Sequence, residues 1–361
     1  MLVSLVAACY NAAEEITRVL RALDEQEVEY PYEFIVVDNM SDDNTYDVVC
    51  SYRPRHYQLR AFRVSRRGGP GAARNVALRE LRGELVIFIG DDTVPTPSFI
   101  RAHVELHRRF NDPRVAILGR VDWPNDIPKN SLMLHITGVG AQQFSYYYLR
   151  SGQEYDYRHF YTSNVSVHSG LLAKEPSGFD ESIFFFEDAE FAYRLARHGL
   201  RIFYFADPLV FHYHYHSLWS FWVRTFRAGQ TVWQVVRKHP RTASLILRPK
   251  HWFRKLLHGL SLLYIERRQI DPHLERRALL LASSYEWAQT DSSEFGAYLD
   301  FLYIHMLEYA FAKGFVDNVP VPAYLKRLFH KALQLSVLEP AIKKFSQLLE
   351  AAQCTVIDTL S

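Results

Sequence analysis

The sequence predicts an α/β fold: a mostly parallel sheet flanked by helices, followed by a helical C-terminal region. Three observations carry the prediction. Over about the first 120 residues short apolar runs alternate with helical patterns in the order βαβα, the arrangement that builds parallel sheets. Two of those runs, FIVVD and LVIFIGDD, finish on carboxylates at Asp38 and at Asp91 and Asp92. Beyond His216 strand signals fade and the pattern becomes helical, which sets domains at 1–215 and 216–361.

LVSLVAA (Leu2 to Ala8) reads as a buried strand. After it Asn11 is placed as a helix N-cap with Glu14 three residues on, and Ile16, Val19, Leu20 and Leu23 share one helical face. FIVVD (Phe34 to Asp38) is the second strand, RRGGPGAARNVALREL (Arg66 to Leu81) a glycine-rich turn entering a helix, and LVIFIG (Leu85 to Gly90) a third strand. FFFEDAEFAYRLARHG places Glu187 and Asp188 at a helix start, where the macrodipole favours negative charge, with Phe191, Ala192 and Leu195 on the buried face. In ADPLVFHYHYHSLWSF, His212, His214 and His216 recur at every second residue and share one face if the chain is extended. Pro240, Pro249, Pro272, Pro320 and Pro322 punctuate the helical remainder, and no internal repeat is present.

Composition narrows the function classes. With 361 residues, 48% hydrophobic and 23% charged, the chain can bury one large core or two smaller ones. A formal net charge of +2 lacks the basic field of non-specific duplex binding, so no nucleic-acid partner is expected. MLVSLVAACYN is too short, and lacks the flanks, for a signal peptide, and no window approaches the roughly 20 apolar residues of a membrane span, so a cytoplasmic chain is expected. Cys9, Cys50 and Cys354 fit reduced thiols better than a disulfide framework.

Ligands of a parallel sheet bind outside the carboxyl ends of its strands, so Tyr10 and Asn11, Asp38, and Asp91 and Asp92 converge on one crevice. Each motif alone has an ordinary structural explanation. Asp-Asp-Thr can cap the turn before Pro95, and Asp42 or Asp43 can form the Asx-turn in DNMSDDNT. Acidic residues are common in a first helical turn, and strand histidines can simply face water. GGPGAARN lacks the Gly-Lys-Ser/Thr ending of a nucleoside-triphosphate loop. Zinc held by three histidines at two-residue spacing is awkward on one strand. NVS at Asn164 is a formal glycosylation sequon without use in a cytoplasmic chain.

VAACYNAAEEITRVLRAL, IVVDNMSDDNT, GGPGAARNVALRELRGELVIFIGDDTVP and FFFEDAEFAYRLARHG together resemble the successive motifs of the family 2 inverting glycosyltransferases with the GT-A fold. The resemblance runs from about Leu2 to Gly229 and rests on the order and spacing of four motifs. It implies a nucleoside-diphosphate sugar donor, a UDP-sugar ahead of a GDP-sugar, a divalent Mn2+ or Mg2+, and transfer with inversion to a glycan or lipid-linked acceptor. By the same resemblance Ala8, Tyr10 and Asn11 lie beside the base, and Asp38 accepts its imide N–H. Arg74 meets the diphosphate, Asn75 orders the loop, Asp91 faces the ribose or sugar, and Ser163 and Asn164 touch the sugar or acceptor. Asp92 is the implied metal ligand, completed by His212 with His214 close behind, while Asp188 is the implied general base and Glu187 its support. The family's metal motif is commonly Asp-any-Asp, and Gly90 stands where its first aspartate would be. That departure is what keeps open a second class, a non-catalytic nucleotide-sugar or carbohydrate-binding protein. A glycoside hydrolase leaves the Asp38 segment unexplained.

From Leu218 to His258, Trp219, Phe221, Trp222, Phe226, Trp233, Trp252 and Phe253 interleave with cations including Arg224, Arg227, Arg237, Lys238, Arg248, Lys250 and Lys255. Such a mixture suits a lipid headgroup layer or an ordinary core with a charged rim. On the first of these the chain is peripheral at the inner face of a membrane.

Overall fold

A computed structural model of the chain describes residues 1–144, 146–242, 249–264, 269, 271–287 and 293–360. They form two compact units, the first made of Met1–Pro128 and Tyr148–His214, the second of Lys129–Tyr147 and Tyr215–Ser361. The chain crosses into the second unit at Tyr215, and that unit also takes an excursion, Lys129–Tyr147, out of the first. Local signals do not announce it, because what ties Asn130 and Ser131 to this unit is distant in sequence. Asn130 Nδ2 donates to the His216 carbonyl at 2.9 Å and to Glu286 Oε1 at 2.9 Å, and the Ser131 amide donates to the Glu286 carbonyl at 2.9 Å.

The first unit is built on a nine-stranded sheet ordered β3-β2-β1-β4-β8-β6-β9-β5, with β7 alongside β9. β1 (Val3–Cys9), β2 (Tyr32–Asp38), β3 (Gln58–Arg63) and β4 (Leu85–Ile89) are mutually parallel. Their apolar runs are buried throughout β2 and β4, as expected for a sheet covered on both faces. β5 (Thr93–Pro95) and β7 (Glu154–Tyr155) run antiparallel to β9 (Arg201–His212), which is parallel to β6 (Val115–Asp122). β8 (Asn164–His168) lies antiparallel between β4 and β6. The sheet is thus mixed, with its parallel half where the sequence showed βαβα.

Helices α1 (Ala13–Asp24), α2 (Thr45–Ser51), α3 (Pro70–Arg79) and α4 (Phe99–Phe110) cover the sheet, and Ile16, Val19, Leu20 and Leu23 form the buried stripe of α1 as their spacing predicts. Asn11 is not its N-cap. It takes a left-handed φ of 50° and its Oδ1 accepts the Asp42 amide at 2.7 Å, while the α1 entrance is satisfied by Thr45 Oγ1, 2.8 Å from the Ala12 amide. A partner borrowed from the start of α2, 33 residues away, is invisible to local pattern.

The second unit is helical. It opens with α5 (Ser131–Thr137), and later includes the long helices Leu218–Lys238 and Ser293–Asn318. These two approach closely through glycines: a Cβ on Gly229 would meet the Phe311 carbonyl at 2.1 Å, and one on Gly314 the Phe226 carbonyl at 2.0 Å. Among the described residues no helix is long and apolar enough to cross a membrane.

Candidate active site

The carboxyl ends of β1, β2 and β4 gather the acidic groups. β1 pairs with β2 from Val3↔Tyr32 to Cys9↔Asp38 and with β4 from Val3↔Leu85 to Val6↔Phe88, which sets the strand ends side by side. Asp91 Oδ2 accepts the Tyr10 amide at 3.1 Å, so the charge pair after β4 is tied to the end of β1. Tyr10 itself stays 43% exposed, with its hydroxyl on Asp42 at 3.0 Å and the Arg67 guanidinium 4.7 Å over its ring.

Asp92 turns toward β9. Its Oδ2 lies 3.0 Å from His212 Nε2 and 3.3 Å from His214 Nδ1. The ligand atoms of Asp92, His212 and His214 all fall within 4.8 Å of one another, a mixed carboxylate and imidazole set that fits a divalent cation such as Mn2+. Trp123 stacks on His212 at 5.2 Å and His212 on His214 at 5.5 Å, which fixes the planes of both imidazoles. β9 ends at His212, so the three histidines do not share a strand face, and His216 belongs to the second unit, where it packs against Phe221 at 5.2 Å.

At Gly90 an added Cβ would come 2.9 Å from Asp92 Oδ1 and 3.1 Å from Thr93 Oγ1, so a side chain there would require those of Asp92 and Thr93 to shift. Thr93 closes the turn by accepting the Gly90 amide on Oγ1 at 2.8 Å, and it pairs with His212 across β5 and β9. The electrostatics divide the two aspartates. Burial and the neighbouring Asp92 push Asp91 up to about 7. Burial would also raise Asp92, but His212 and His214 more than offset it and hold that carboxyl well below the usual range.

Glu187 and Asp188 open the helix Glu187–Ala196, whose buried face includes Phe191, Ala192 and Leu195 as predicted. The helix is entered through Phe186 at a left-handed φ of 67°, a conformation costly for an aromatic residue. Arg74 Nη1 bonds Glu187 Oε1 at 2.6 Å, with the guanidinium 5.5 Å over the Phe179 ring. Burial first, then the Glu187 carboxylate, raise Asp188 to about 7. An ionisable carboxyl near neutrality beside a fixed ion pair is suited to moving a proton.

Asp38 is almost wholly buried, with Oδ2 on Arg63 Nε at 2.6 Å and the Ser41 amide 3.3 Å away. Arg63 escaped the sequence reading, although QLRAFR alternates as a strand does and its register sets Arg63 opposite Asp38. Asp43, not Asp38, bonds the first turn of α2, through the Thr45 amide at 3.0 Å.

Asn75 bonds the loop before the helix Glu187–Ala196, with Nδ2 donating to the Phe179 carbonyl at 2.9 Å and to Glu181 at 3.0 Å and Oδ1 accepting the Phe179 amide at 2.7 Å. One expected ligand contact is corrected. Asn164 is 0% exposed, its amide spent on the carbonyls of Arg120 and Pro208, so it cannot touch a sugar. Ser163, next to it, has its carbonyl on Thr93 Oγ1 at 3.3 Å and its own Oγ buried without a hydrogen-bond partner. Ala8 is half-buried at the end of β1, next to Cys9.

Residues 4–169 match the family model described as glycosyl transferase family 2. The chain is 29% identical over 119 residues to an uncharacterized glycosyltransferase, YfnE, of Bacillus subtilis, covering 33% of this chain and 30% of that one. It is 36% identical over 90 residues to the poly(ribitol-phosphate) beta-N-acetylglucosaminyltransferase TarS of Staphylococcus aureus, covering 25% of this chain and 16% of TarS. The matched region thus spans less than a third of the length of these curated relatives. In structure, the chain superposes on S. aureus TarS 1–349 in complex with UDP with a TM-score of 0.50 at 18% identity, covering 96% of this chain and 92% of that one, a likeness of fold.

Proposed function

The chain belongs, over residues 4–169, to glycosyl transferase family 2 with a GT-A fold, and from that premise we propose that it is a glycosyltransferase using a nucleoside-diphosphate sugar. The donor is a UDP-sugar ahead of a GDP-sugar, and the sugar passes with inversion to a hydroxyl of a glycan or lipid-linked acceptor. The observation that carries this is the meeting of Asp92, His212 and His214 within 4.8 Å at the end of the parallel strands. The named activity of TarS, transfer of N-acetylglucosamine to poly(ribitol phosphate), supports the reaction class.

Departure of a sugar from a diphosphate leaves negative charge on phosphate, and Mn2+ or Mg2+ held by Asp92, His212 and His214 would offset it as a Lewis acid. Asp188 takes the proton of the acceptor hydroxyl as its oxygen attacks the anomeric carbon from the face opposite the phosphate. The bond from anomeric carbon to phosphate oxygen breaks and its electron pair leaves with the diphosphate. Arg74 keeps Glu187 against Asp188 and has further guanidinium N–H groups to offer the diphosphate. Asp38, with Arg63 setting its direction, accepts the base imide N–H, while Asp91 faces the ribose or sugar and the main chain at Ala8, Tyr10 and Asn11 flanks the base. Ser163 offers its hydroxyl to the sugar or acceptor.

Against the non-catalytic alternative stands the cluster itself, since Asp92, His212 and His214 offer three candidate ligands without a carboxylate at position 90. Purified protein incubated with Mn2+ and a panel of UDP- and GDP-sugars should release nucleoside diphosphate, and EDTA should stop it. Donor binding without release would move the chain to the non-catalytic class, and undiminished release after exhaustive chelation would remove the metal.

Membrane contact we propose in reduced form. Phe221 and Trp222 are buried and Trp219 is 60% exposed, so the exposed tryptophan at the start of Leu218–Lys238, with the exposed Arg227, Arg237 and Lys238 farther along, is what that helix offers a headgroup layer. Arg248, and the side chains of Lys250, Trp252 and Phe253, lie outside the described residues. Flotation with anionic liposomes at low salt should carry the protein upward; sedimentation at low and high salt alike would remove the contact.

A further inference from the structure

A line of buried polar groups runs behind the metal cluster within the first unit, apart from the groups that face the reaction. Asn164 stands opposite Ile89 in the pairing of β8 with β4. Its Nδ2 donates to the carbonyl of Arg120 in β6 at 2.8 Å and to that of Pro208 in β9 at 2.9 Å. The β6–β9 register shifts between Leu118 and Arg120, and a Cβ on Gly119 would come 2.4 Å from Asn164 Nδ2, so the glycine leaves the space that the carboxamide fills.

Carbonyl oxygens only accept, so both Asn164 N–H groups are committed and its Oδ1 must be the acceptor facing His103 Nε2 at 3.0 Å. His103 is therefore the neutral Nε2–H tautomer. Its Nδ1 then accepts from Ser166 Oγ at 2.8 Å, and Ser166 Oγ accepts in turn from His107 Nε2 at 2.8 Å. Two carbonyls thus dictate the direction of every hydrogen bond in the line. His103, Ser166 and Asn164 are fully buried and His107 nearly so. Burial keeps both imidazoles neutral, pushing His103 down to about 4 and His107 to about 3.

The line bears on both halves of the metal cluster. Pro208 precedes His212 in β9, so Asn164 holds the strand that presents that ligand. The residue before Asn164, Ser163, accepts Thr93 Oγ1 on its carbonyl, and Thr93 closes the turn that presents Asp92. Resting on the metal reading above, we infer that Asn164 and His103 are positioning residues. The buried line Asn164–His103–Ser166–His107 fixes the β6–β9 junction against β8, and so holds His212 and Asp92 at the spacing that a divalent cation needs.

His103→Phe keeps a ring and removes the donor and acceptor together; Ser166→Ala breaks the line one step farther away; His103→Gln restores an N–H for Asn164. Mn2+ affinity, read from the electron paramagnetic resonance signal of free Mn2+, should fall about tenfold in His103→Phe, as expected for loss of a group that orients a ligand. It should fall less in Ser166→Ala and return close to wild type in His103→Gln. Circular dichroism and melting identify the variants that fold. A folded His103→Phe or Ser166→Ala protein that binds Mn2+ as the wild type does, even with a lowered melting temperature, overturns the inference and leaves the metal reading standing. Absence of Mn2+ binding by the wild type overturns both.

Discussion

The base role proposed for Asp188 predicts how turnover responds to pH. Its carboxyl, raised to about 7 by burial and by Glu187, is protonated on the acid side and cannot accept the hydroxyl proton there. Turnover should therefore climb with pH through about 7 and level above it, measured as kcat/KM for the donor pair. Asp188→Asn should cost roughly a hundredfold or more in turnover, the usual scale of a lost general base, with donor Kd nearly unchanged. The same shift has a stability side. A carboxyl raised above its ordinary value favours the folded state below that value's range and penalises it as pH rises toward about 7, so the asparagine variant should gain more melting temperature at pH 8 than at pH 5. At this scale much of the candidate site was legible, because charge at a strand end or helix start is conspicuous in an apolar context: Asp38, Asp91, Asp92, Glu187 and Asp188 all lie at such positions. Asn164 is misread for a definite reason. An amide on a motif looks alike whether it faces a ligand or a carbonyl, and the carbonyl that decides it here lies 44 residues away.

At the scale of elements, the sequence showed what is locally periodic and hid what is held from afar. β1, β2 and β4 stand out as continuous apolar runs, whereas β5 has three residues and β7 two, too few for any pattern. β8 was passed over because Asn164 and Ser166 interrupt its apolar residues, and those two are kept in the core by the hydrogen bonds of His103 and the strand carbonyls. The aromatic and basic stretch of Leu218–Lys238 was ambiguous for a different reason. Aromatics suit a core as well as a headgroup layer, and what decided for the core in Phe221 and Trp222 is the packing of the helix, including its contact with Ser293–Asn318. Glycine makes that contact possible. Gly314→Ala should therefore lower stability by about 1–3 kcal/mol, the usual cost of overpacking, since the added methyl has backbone and not a pliable side chain in its way. Chemical denaturation followed by circular dichroism measures it, and an unchanged midpoint would mean that the two helices can slide apart freely.

For the whole molecule, the division of labour lies in how the chain is threaded. The first unit holds every group assigned to donor, metal and proton transfer, from Ala8 to His214. The second is entered once at Lys129 and again at Tyr215, immediately after His214, one of the proposed metal ligands. The mechanism proposed above, displacement at the anomeric carbon with the base opposite the diphosphate, has a stereochemical signature. When water replaces the acceptor, the first sugar released from an α-linked UDP-sugar must be the β-anomer. Proton nuclear magnetic resonance during the first minutes of UDP-sugar hydrolysis with Mn2+, before the anomers equilibrate, reads this directly. The β-anomer appearing first, and neither anomer appearing with Asp188→Asn, is the predicted result; the α-anomer appearing first would contradict direct displacement assisted by Asp188.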